Sequence, residues 1–429
     1  MKFAISTLGC KVNAFESESY VKTLKDAGFF YVSEKEVADI YIINSCAVTN
    51  VAAKKTRQKI SQAKRLNDQA IIVVVGCYAQ VESEKLIKRG DIDLLIGSNK
   101  KSQMLDLLNQ VIKGRKITAV DLDKRDFFFE ELKVENFQGK NRAFLKVQDG
   151  CDQFCSYCII PFARGKERSQ DLKLVLENAE YLINEGYKEI VLSGIHTGRY
   201  GRDLNITLKD LMESLLKSFD KLLRLRLSSI EILEVSDEIV SLAKKDQRIA
   251  KHWHIPLQSG CDKILDLMNR RYTTDDYKNR VDKIRRELPN VAISTDVIVG
   301  FPNESEEDFL KTYNFIKDLK LSFIHVFPYS AKKNTKAALM ENQVSNKIKK
   351  ARVKKLLALS KKLKNEFMQK FINKTVEVLV ESKDENGYYR GYCSEYFEVR
   401  FKGKKDLENT FQKVIIEKVN EEVAYGRPI

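Results

Sequence analysis

The chain has 429 residues, 43% hydrophobic and 31% charged, with a formal net charge of +15 from 75 Lys plus Arg against 60 Asp plus Glu. That length exceeds one ordinary core and predicts two or three domains with a soluble, globular balance. The basic excess favours a polyanionic partner such as nucleic acid. The opening MKFAISTLGC holds too short an apolar run for a signal peptide, and AIIVVVG (70–76) is far short of the roughly 20 residues that span a bilayer. Eight cysteines in so long a chain fit a reducing cytoplasm better than a disulfide scaffold, so no membrane and a cytoplasmic location are expected.

In chain order, FAIST (3–7), ADIYIIN and IIVVV (71–75) read as buried parallel strands. IDLLIG (92–97) is a fourth, and ESESYVKTLKDAG and VAAKKTRQKISQAKRL supply crossover helices. A small three-layer α/β domain follows. Cys10, Cys46 and Cys77 each stand just past the C-terminal end of one strand, in STLGC, IINSC and VVVGC. Such ends gather along one sheet edge, where ligands bind. The three thiols can therefore converge as ligands; three small buried hydrophobes are the other reading.

Residues 120–142 read as a charged, aromatic linker. AFLKVQDG (143–150), KEIVLSG (188–194), RLRLSSIE (224–231), HWHIPLQSG (252–260), AISTDVIVG (292–300) and FIHVFPYS (323–330) then alternate with helices, predicting an open six-stranded parallel barrel. From Lys347 to Lys370 ten basic residues face one acidic one, Glu366, a bias that points to a polyanion. Beyond Asn373 the period falls to two around an NG turn, predicting a small β module of a kind that often grips RNA.

The first barrel strand runs into CDQFCSYC, with Cys151, Cys155 and Cys158 spaced C-x3-C-x2-C. Structural zinc wants four ligands, and no histidine lies within the next thirty residues. Three thiolates on a [4Fe–4S] cluster leave one iron open, where S-adenosylmethionine is the expected partner and source of a 5′-deoxyadenosyl radical.

CDQFCSYCIIPFARGKERS resembles the radical-SAM methylthiotransferases, and the resemblance extends over the entire chain. It implies an N-terminal three-layer parallel-sheet domain (1–118), an open six-stranded (βα) radical-SAM barrel (137–366) and a C-terminal small all-β TRAM barrel (367–429). It also implies two [4Fe–4S] clusters, an auxiliary one on Cys10, Cys46 and Cys77 and a radical-SAM one on Cys151, Cys155 and Cys158. S-adenosyl-L-methionine would be methyl donor and radical source, and no protein acid or base is assigned. Residues resembling Ser229, Glu231, Gln258 and Asp296 line the barrel near the cosubstrate in the family, and Gly194 would allow backbone approach.

LGCKVNAFESE, LSGIHTGRYGRD and HVFPYSAKKNTKAA resemble the branch acting on threonylcarbamoyladenosine 37 of tRNA. The implied partners are that tRNA, a reducing electron donor and a sulfur donor. The rival readings are a ribosomal-protein modifier and a non-enzymatic RNA-binding iron–sulfur protein. Because the threonylcarbamoyl group carries a carboxylate, its pocket should offer a cation, with Arg199 the candidate for recognising that group or adjacent RNA. Arg164 and Arg168 are bidentate-anion candidates or surface charge, and Lys332 and Lys333 are candidates for touching RNA. His196, His252, His254 and His325 are scattered in sequence, which favours hydrogen-bonding or packing roles, and Cys261 and Cys393 read as structural. Asn303 and Asn334 replace usual glycines, and asparagine tolerates left-handed backbone.

Overall fold

The computed structural model describes residues 1–121, 127–134, 137, 141–403 and 406–429. Six parallel strands form the first sheet: β1 (Lys2–Thr7), β2 (Phe30–Tyr31), β3 (Ile40–Ser45), β4 (Ile71–Gly76), β5 (Leu94–Ile96) and β6 (Ile117–Ala119), in the order β2-β1-β3-β4-β5-β6. The short edge strands β2 and β6 extend the four expected from sequence. The central strands are apolar on both faces. Ala4, Ile43, Ile72 and Val74 enter one core, and Phe3, Ile42, Val73 and Val75 enter the opposite one. Helices cover both sides, which makes three layers.

Two of those helices bear on the site. Helix α1 (Lys11–Asp26) starts at Cys10, and α2 (Asn50–Leu66) is capped by Thr49, whose hydroxyl accepts from Ala52 N at 3.1 Å.

The second unit carries β7 (Arg142–Lys146), the small ribbon β8 (Gln148–Asp149) with β9 (Arg168–Ser169), then β10 (Glu189–Ser193) and β11 (Arg224–Leu227). Next come β12 (His252–His254), β13 (Ala292–Val299) and β14 (Phe323–Pro328). Strands β7, β10 and β11 make one parallel sheet, and β12, β13 and β14 a second. Leu225 closes the seam between them, donating to Arg248 O at 2.8 Å and accepting from Ala250 N at 2.9 Å. Six parallel strands in spatial chain order thus make the open barrel wall. One continuous core, from Leu145 and Ile190 to Ile293 and Ile324, lies against it.

The expected 120–142 linker falls partly outside the described residues. What is described packs rather than dangles: Leu132, Val134 and Phe137 join the barrel core, and Phe137 N donates to the Tyr187 hydroxyl at 2.7 Å.

The last five strands close a barrel in the order β15-β16-β17-β19-β18, with β15 (Thr375–Lys383), β16 (Tyr388–Cys393), β17 (Glu398–Lys402), β18 (Phe411–Asn420) and β19 (Val423–Pro428). Buried Arg224 and Arg226 hold it against the N-terminal mouth of the larger barrel. They bond Glu189 at 3.1 and 2.6 Å, Arg224 reaches Glu377 O at 2.9 Å, and Arg226 reaches Ser394 O at 3.1 Å.

The basic helix Asn346–Gln369 corrects a sequence expectation. Lys349 is buried and donates to Tyr329 O at 3.1 Å. Arg352, also buried, pairs with Glu304 at 2.5 Å, while Lys355, Lys361 and Lys364 meet Glu306, Glu421 and Glu422. Much of its charge answers acids of the same chain, because the helix wedges between the two barrels. Asn303 and Asn334 do take positive φ, 66° and 70°. No helix among the described residues is long and apolar enough to cross a membrane.

Candidate active site

The C-terminal ends of β1, β3 and β4 bring Cys10, Cys46 and Cys77 to one edge. Two glycines permit the approach. A Cβ on Gly9 would lie 2.8 Å from Cys46 Cβ, and one on Gly76 would lie 2.8 Å from Asn44 Oδ1; both have positive φ. Burial and the neighbouring Cys77 and Cys10 push the Cys46 thiol up to about 11, so the three share one environment.

Beside them lies a buried ion network. Arg164 donates from Nε to Cys77 Sγ at 3.2 Å, from Nη1 to Glu16 at 2.9 Å and to Asp149 at 3.1 Å, and from Nη2 to Asn13 at 2.8 Å. Lys101 reaches Glu16 at 2.6 Å, Lys146 reaches Asp149 at 2.7 Å, and Arg168 reaches Asp149 at 3.1 Å. Four buried cations therefore face two carboxylates. Despite burial, Arg164 and its neighbours hold Glu16 and Asp149 far below the usual carboxylate range. The surplus of positive charge fits thiolate ligands at Cys10, Cys46 and Cys77, which would balance it. This donor set suits an iron–sulfur cluster.

The second trio follows β8 directly. The loop turns tightly, with Cys158 N donating to Cys155 O at 2.9 Å, and burial, together with Cys155 and Cys151, raises the Cys158 thiol. Each of two sulfurs has a cationic or polarised neighbour. Arg270 Nη1 donates to Cys155 Sγ at 3.3 Å, and its other end pairs with Glu231. His196 Nδ1 stands 3.5 Å from Cys151 Sγ, and its Nε2 is 2.7 Å from Glu234. Burial opposes charge on His196, but Cys151 and Glu234 outweigh it and lift the ring to about 9. Anionic sulfur ligands fit this setting as well.

A cleft of about 190 Å³ opens between the two cysteine loops. Val48 and Thr49 from the first domain face Cys158, Gln258 and Asp296 from the barrel. Gln258, at φ 65°, is held by its backbone between Asp296 O and Ile298 N at 2.8 and 2.9 Å. A neighbouring cleft of about 230 Å³ is lined by Asn50, Tyr78, Phe162, Lys332 and Lys333.

The geometry redirects several sequence expectations. Arg164 and Arg168 are buried, with their guanidinium groups turned to protein partners, and Arg164 has no surface to offer an incoming anion. Arg199 is engaged by Glu234 at 3.1 Å, Glu167 at 2.8 Å and Gln153 at 2.8 Å. Glu231 faces Arg270, and the space left by Gly194 is taken by Gln148, 3.0 Å from a Cβ placed there. Ser229 is half-buried beside Glu231. Lys332 donates to Asn50 at 3.0 Å, while Lys333 is exposed.

Two of the histidines meet in space. His254, Asp296 and His325 bring one donor atom each within 4.8 Å of one another. Strand register does this, aligning His254 with Ser294 and Asp296 with His325. Sequence reading also missed Glu16, Asn13, Lys101, Lys146, Asp149, Glu234 and Arg270. Only Asp149, two residues before Cys151, carried a positional hint.

Residues 2–97 match the model described as "Uncharacterized protein family UPF0004", and residues 145–316 that of the "Radical SAM superfamily". The chain is 41% identical over 419 residues to the threonylcarbamoyladenosine tRNA methylthiotransferase MtaB of Bacillus subtilis, covering 96% of this chain and 93% of that one. It is 40% identical over 413 residues to MtaB of Aquifex aeolicus, covering 95% and 98%. Against the tRNA-2-methylthio-N(6)-dimethylallyladenosine synthase of Thermotoga petrophila the figure is 32% over 435 residues, covering 100% and 97%. Among solved structures, the radical S-adenosylmethionine methyltransferase TsrM of Kitasatospora setae, with cobalamin and a [4Fe–4S] cluster bound, shares the fold. Its TM-score is 0.58 at 14% identity, over 79% of this chain and 76% of that one. Identity of 41% and 32% over nearly the whole chain to these enzymes places it in the family of radical-SAM tRNA methylthiotransferases.

Proposed function

We propose that this enzyme transfers a methylthio group to C2 of N6-threonylcarbamoyladenosine at position 37 of tRNA. The facing of the two cysteine loops across one cleft carries this reading. A base entering there would lie between Val48 and Thr49, just after Cys46, and Cys158, and the identities of 41% and 32% favour the threonylcarbamoyl over the dimethylallyl substrate. The proposed division is 1–118 for the auxiliary-cluster domain, 137–366 for the radical-SAM barrel and 367–429 for a TRAM RNA-binding module. Cys10, Cys46 and Cys77 would hold one [4Fe–4S] cluster, and Cys151, Cys155 and Cys158 the other.

When bound, the clusters and S-adenosylmethionine supply the radical, the sulfur and the methyl group. The chain's own residues bind and orient. Gln258 and Asp296 line the cleft and would face the cosubstrate, with Ser229 and Glu231 on the adjoining loop. Arg270 and His196 place positive charge beside Cys155 and Cys151, where it favours uptake of an electron. Arg164 does the same for Cys77. A reductant and a sulfur donor act as further partners, in the cytoplasm.

The test is an anaerobic assay of the reconstituted, reduced enzyme with S-adenosylmethionine and tRNA bearing either modified adenosine, read by mass spectrometry of the nucleosides. Gain of one methylthio group on the threonylcarbamoyl nucleoside alone is expected. Reaction only on the isopentenyl nucleoside would overturn the substrate assignment. No reaction on either, with 5′-deoxyadenosine still formed, would favour a ribosomal-protein target.

A further inference from the structure

Two clefts lie side by side between the first domain and the barrel, and the proposed reaction occupies only one. That cleft is lined on its two sides by Val48 and Thr49 and by Tyr329 and Ser330. The second, of about 230 Å³, takes up the next residues of the same segments, Asn50 and Ala331, and Ile159 lines both. Hydrogen bonds make the partition. Asn50 N donates to Ser330 Oγ at 3.3 Å, and Lys332 Nζ donates to Asn50 Oδ1 at 3.0 Å.

The walls of the second cleft are held in place. Phe162, on the short helix Ile160–Arg164, packs against Phe154 with ring centroids 6.0 Å apart at 85°, yet stays 42% exposed. Tyr78 is fixed through its hydroxyl, which accepts from Arg57 Nη1 at 2.8 Å. On the barrel side Thr335 closes a turn, its N and Oγ1 donating to Lys332 O at 3.2 and 2.7 Å. Lys332 is buried, and Asn50 is the one partner of its ammonium among the described residues. An ammonium carries three donors, so it can still donate to a group entering the cavity. Lys333 is exposed on the rim, and Glu82, the one carboxylate of the lining, is already paired with Lys85 at 2.7 Å. An exposed ring, a buried ammonium with donors to spare and a rim lysine together suit a single-stranded nucleotide: a stacking face, a donor for the base edge and a cation for the phosphate.

We propose that the second cleft binds a nucleotide adjacent to the modified adenosine, its base stacking on Phe162 and accepting a hydrogen bond from Lys332. This rests on the tRNA reading above. Successive nucleotides of a splayed single strand occupy the two clefts, and the strand crosses the partition made by Asn50, Ser330 and Lys332. Because that partition is only one residue thick on each side, holding the neighbour fixes the register of the loop. One base alone is then presented to the reaction cleft.

The experiment measures Kd by filter binding for anticodon stem-loop RNA carrying threonylcarbamoyladenosine 37, with an abasic residue placed at position 36 or at position 38. The protein is the reconstituted full-length enzyme, with iron content measured. Loss of one stacked base is expected to raise the wild-type Kd about tenfold at one of these positions or both. In Phe162→Ala the same abasic residue should cost less than about threefold, whereas Phe162→Tyr, which keeps a stacking ring, should retain the wild-type penalty. Should Phe162→Ala fail to take up iron, Phe162→Leu, which keeps the bulk and loses the ring, decides alone. A wild-type penalty below about twofold at both positions would overturn the proposal, as would a penalty undiminished by loss of the ring. Wild type binding the stem-loop no more tightly than an unrelated hairpin would instead show that the tRNA reading had failed, and the proposal with it.

Discussion

Arg164 Nε stands 3.2 Å from Cys77 Sγ while the same guanidinium bonds Asp149, two residues before Cys151, at 3.1 Å. One buried side chain thus spans from the first cysteine trio to the base of the second. Its partner Glu16 lies one helical turn into α1, so three separate segments depend on a single planar fork.

Replacing Arg164 by Gln removes a cation from between two buried carboxylates and a sulfur. Iron bound per chain is expected to fall by about half, since loss of an outer-shell partner costs about 10–100-fold in metal affinity. Iron and acid-labile sulfide analysis measures this. Full loading in the variant would refute a role for Arg164 in holding the first cluster.

Arg270 acts at the other trio, between Cys155 and Glu231. Without its charge, the added electron of the reduced state is less well stabilised. Arg270→Gln should lower the reduction potential of the second cluster and slow reductive cleavage of S-adenosylmethionine by about tenfold. Potentiometric titration followed by electron paramagnetic resonance reads the potential directly, and an unshifted potential would exclude this electrostatic role.

Glu189 is fully buried between Arg224 and Arg226, where the small barrel docks. Burial alone would raise its carboxyl, but Arg226 and Arg224 outweigh that and hold it at about 2, against 4.5 when unperturbed. A depressed carboxyl contributes stability that is present above pH 4.5 and is lost as pH falls toward 2. Glu189→Gln should cost about 3 kcal/mol near neutrality by leaving two arginines unbalanced. Melting temperatures of wild type and variant should converge as pH drops from 4.5 toward 2; a constant gap would contradict the ion-pair account.

Lys333 is exposed on the wall of the cleft beside Phe162, whereas Lys361 of the long basic helix is paired with Glu421. Lys333→Glu is expected to weaken tRNA binding by about tenfold and to reduce the salt slope of log K by about one to two. Lys361→Glu should change affinity less than about twofold. Filter binding across a salt series separates the two, and a larger effect at Lys361 would return the helix to the RNA-binding face.

Much of this molecule can be read locally. Strand runs such as IIVVV, cysteines at three strand ends and C-x3-C-x2-C after a fourth all express short-range preferences: β-branched residues in buried strands, and chain turning at their C-terminal ends. Asn303 and Asn334 likewise carry their left-handed backbone in their own chemistry. The fold and the place of six cysteines just past strand ends were legible for that reason.

Partnership was not legible. Arg164 and Arg168 read as anion binders or surface charge and Arg199 as a substrate or RNA contact, yet each meets carboxylates or carbonyls of its own chain once the sheet and barrel dock. His254 and His325, 71 positions apart by number, meet because β12, β13 and β14 lie in parallel register. Residue type and spacing dictate which groups a segment carries. Which charges are neutralised, and which stay open to a ligand, depends on packing between segments far apart in the chain, because charge pairing acts through space rather than along the backbone.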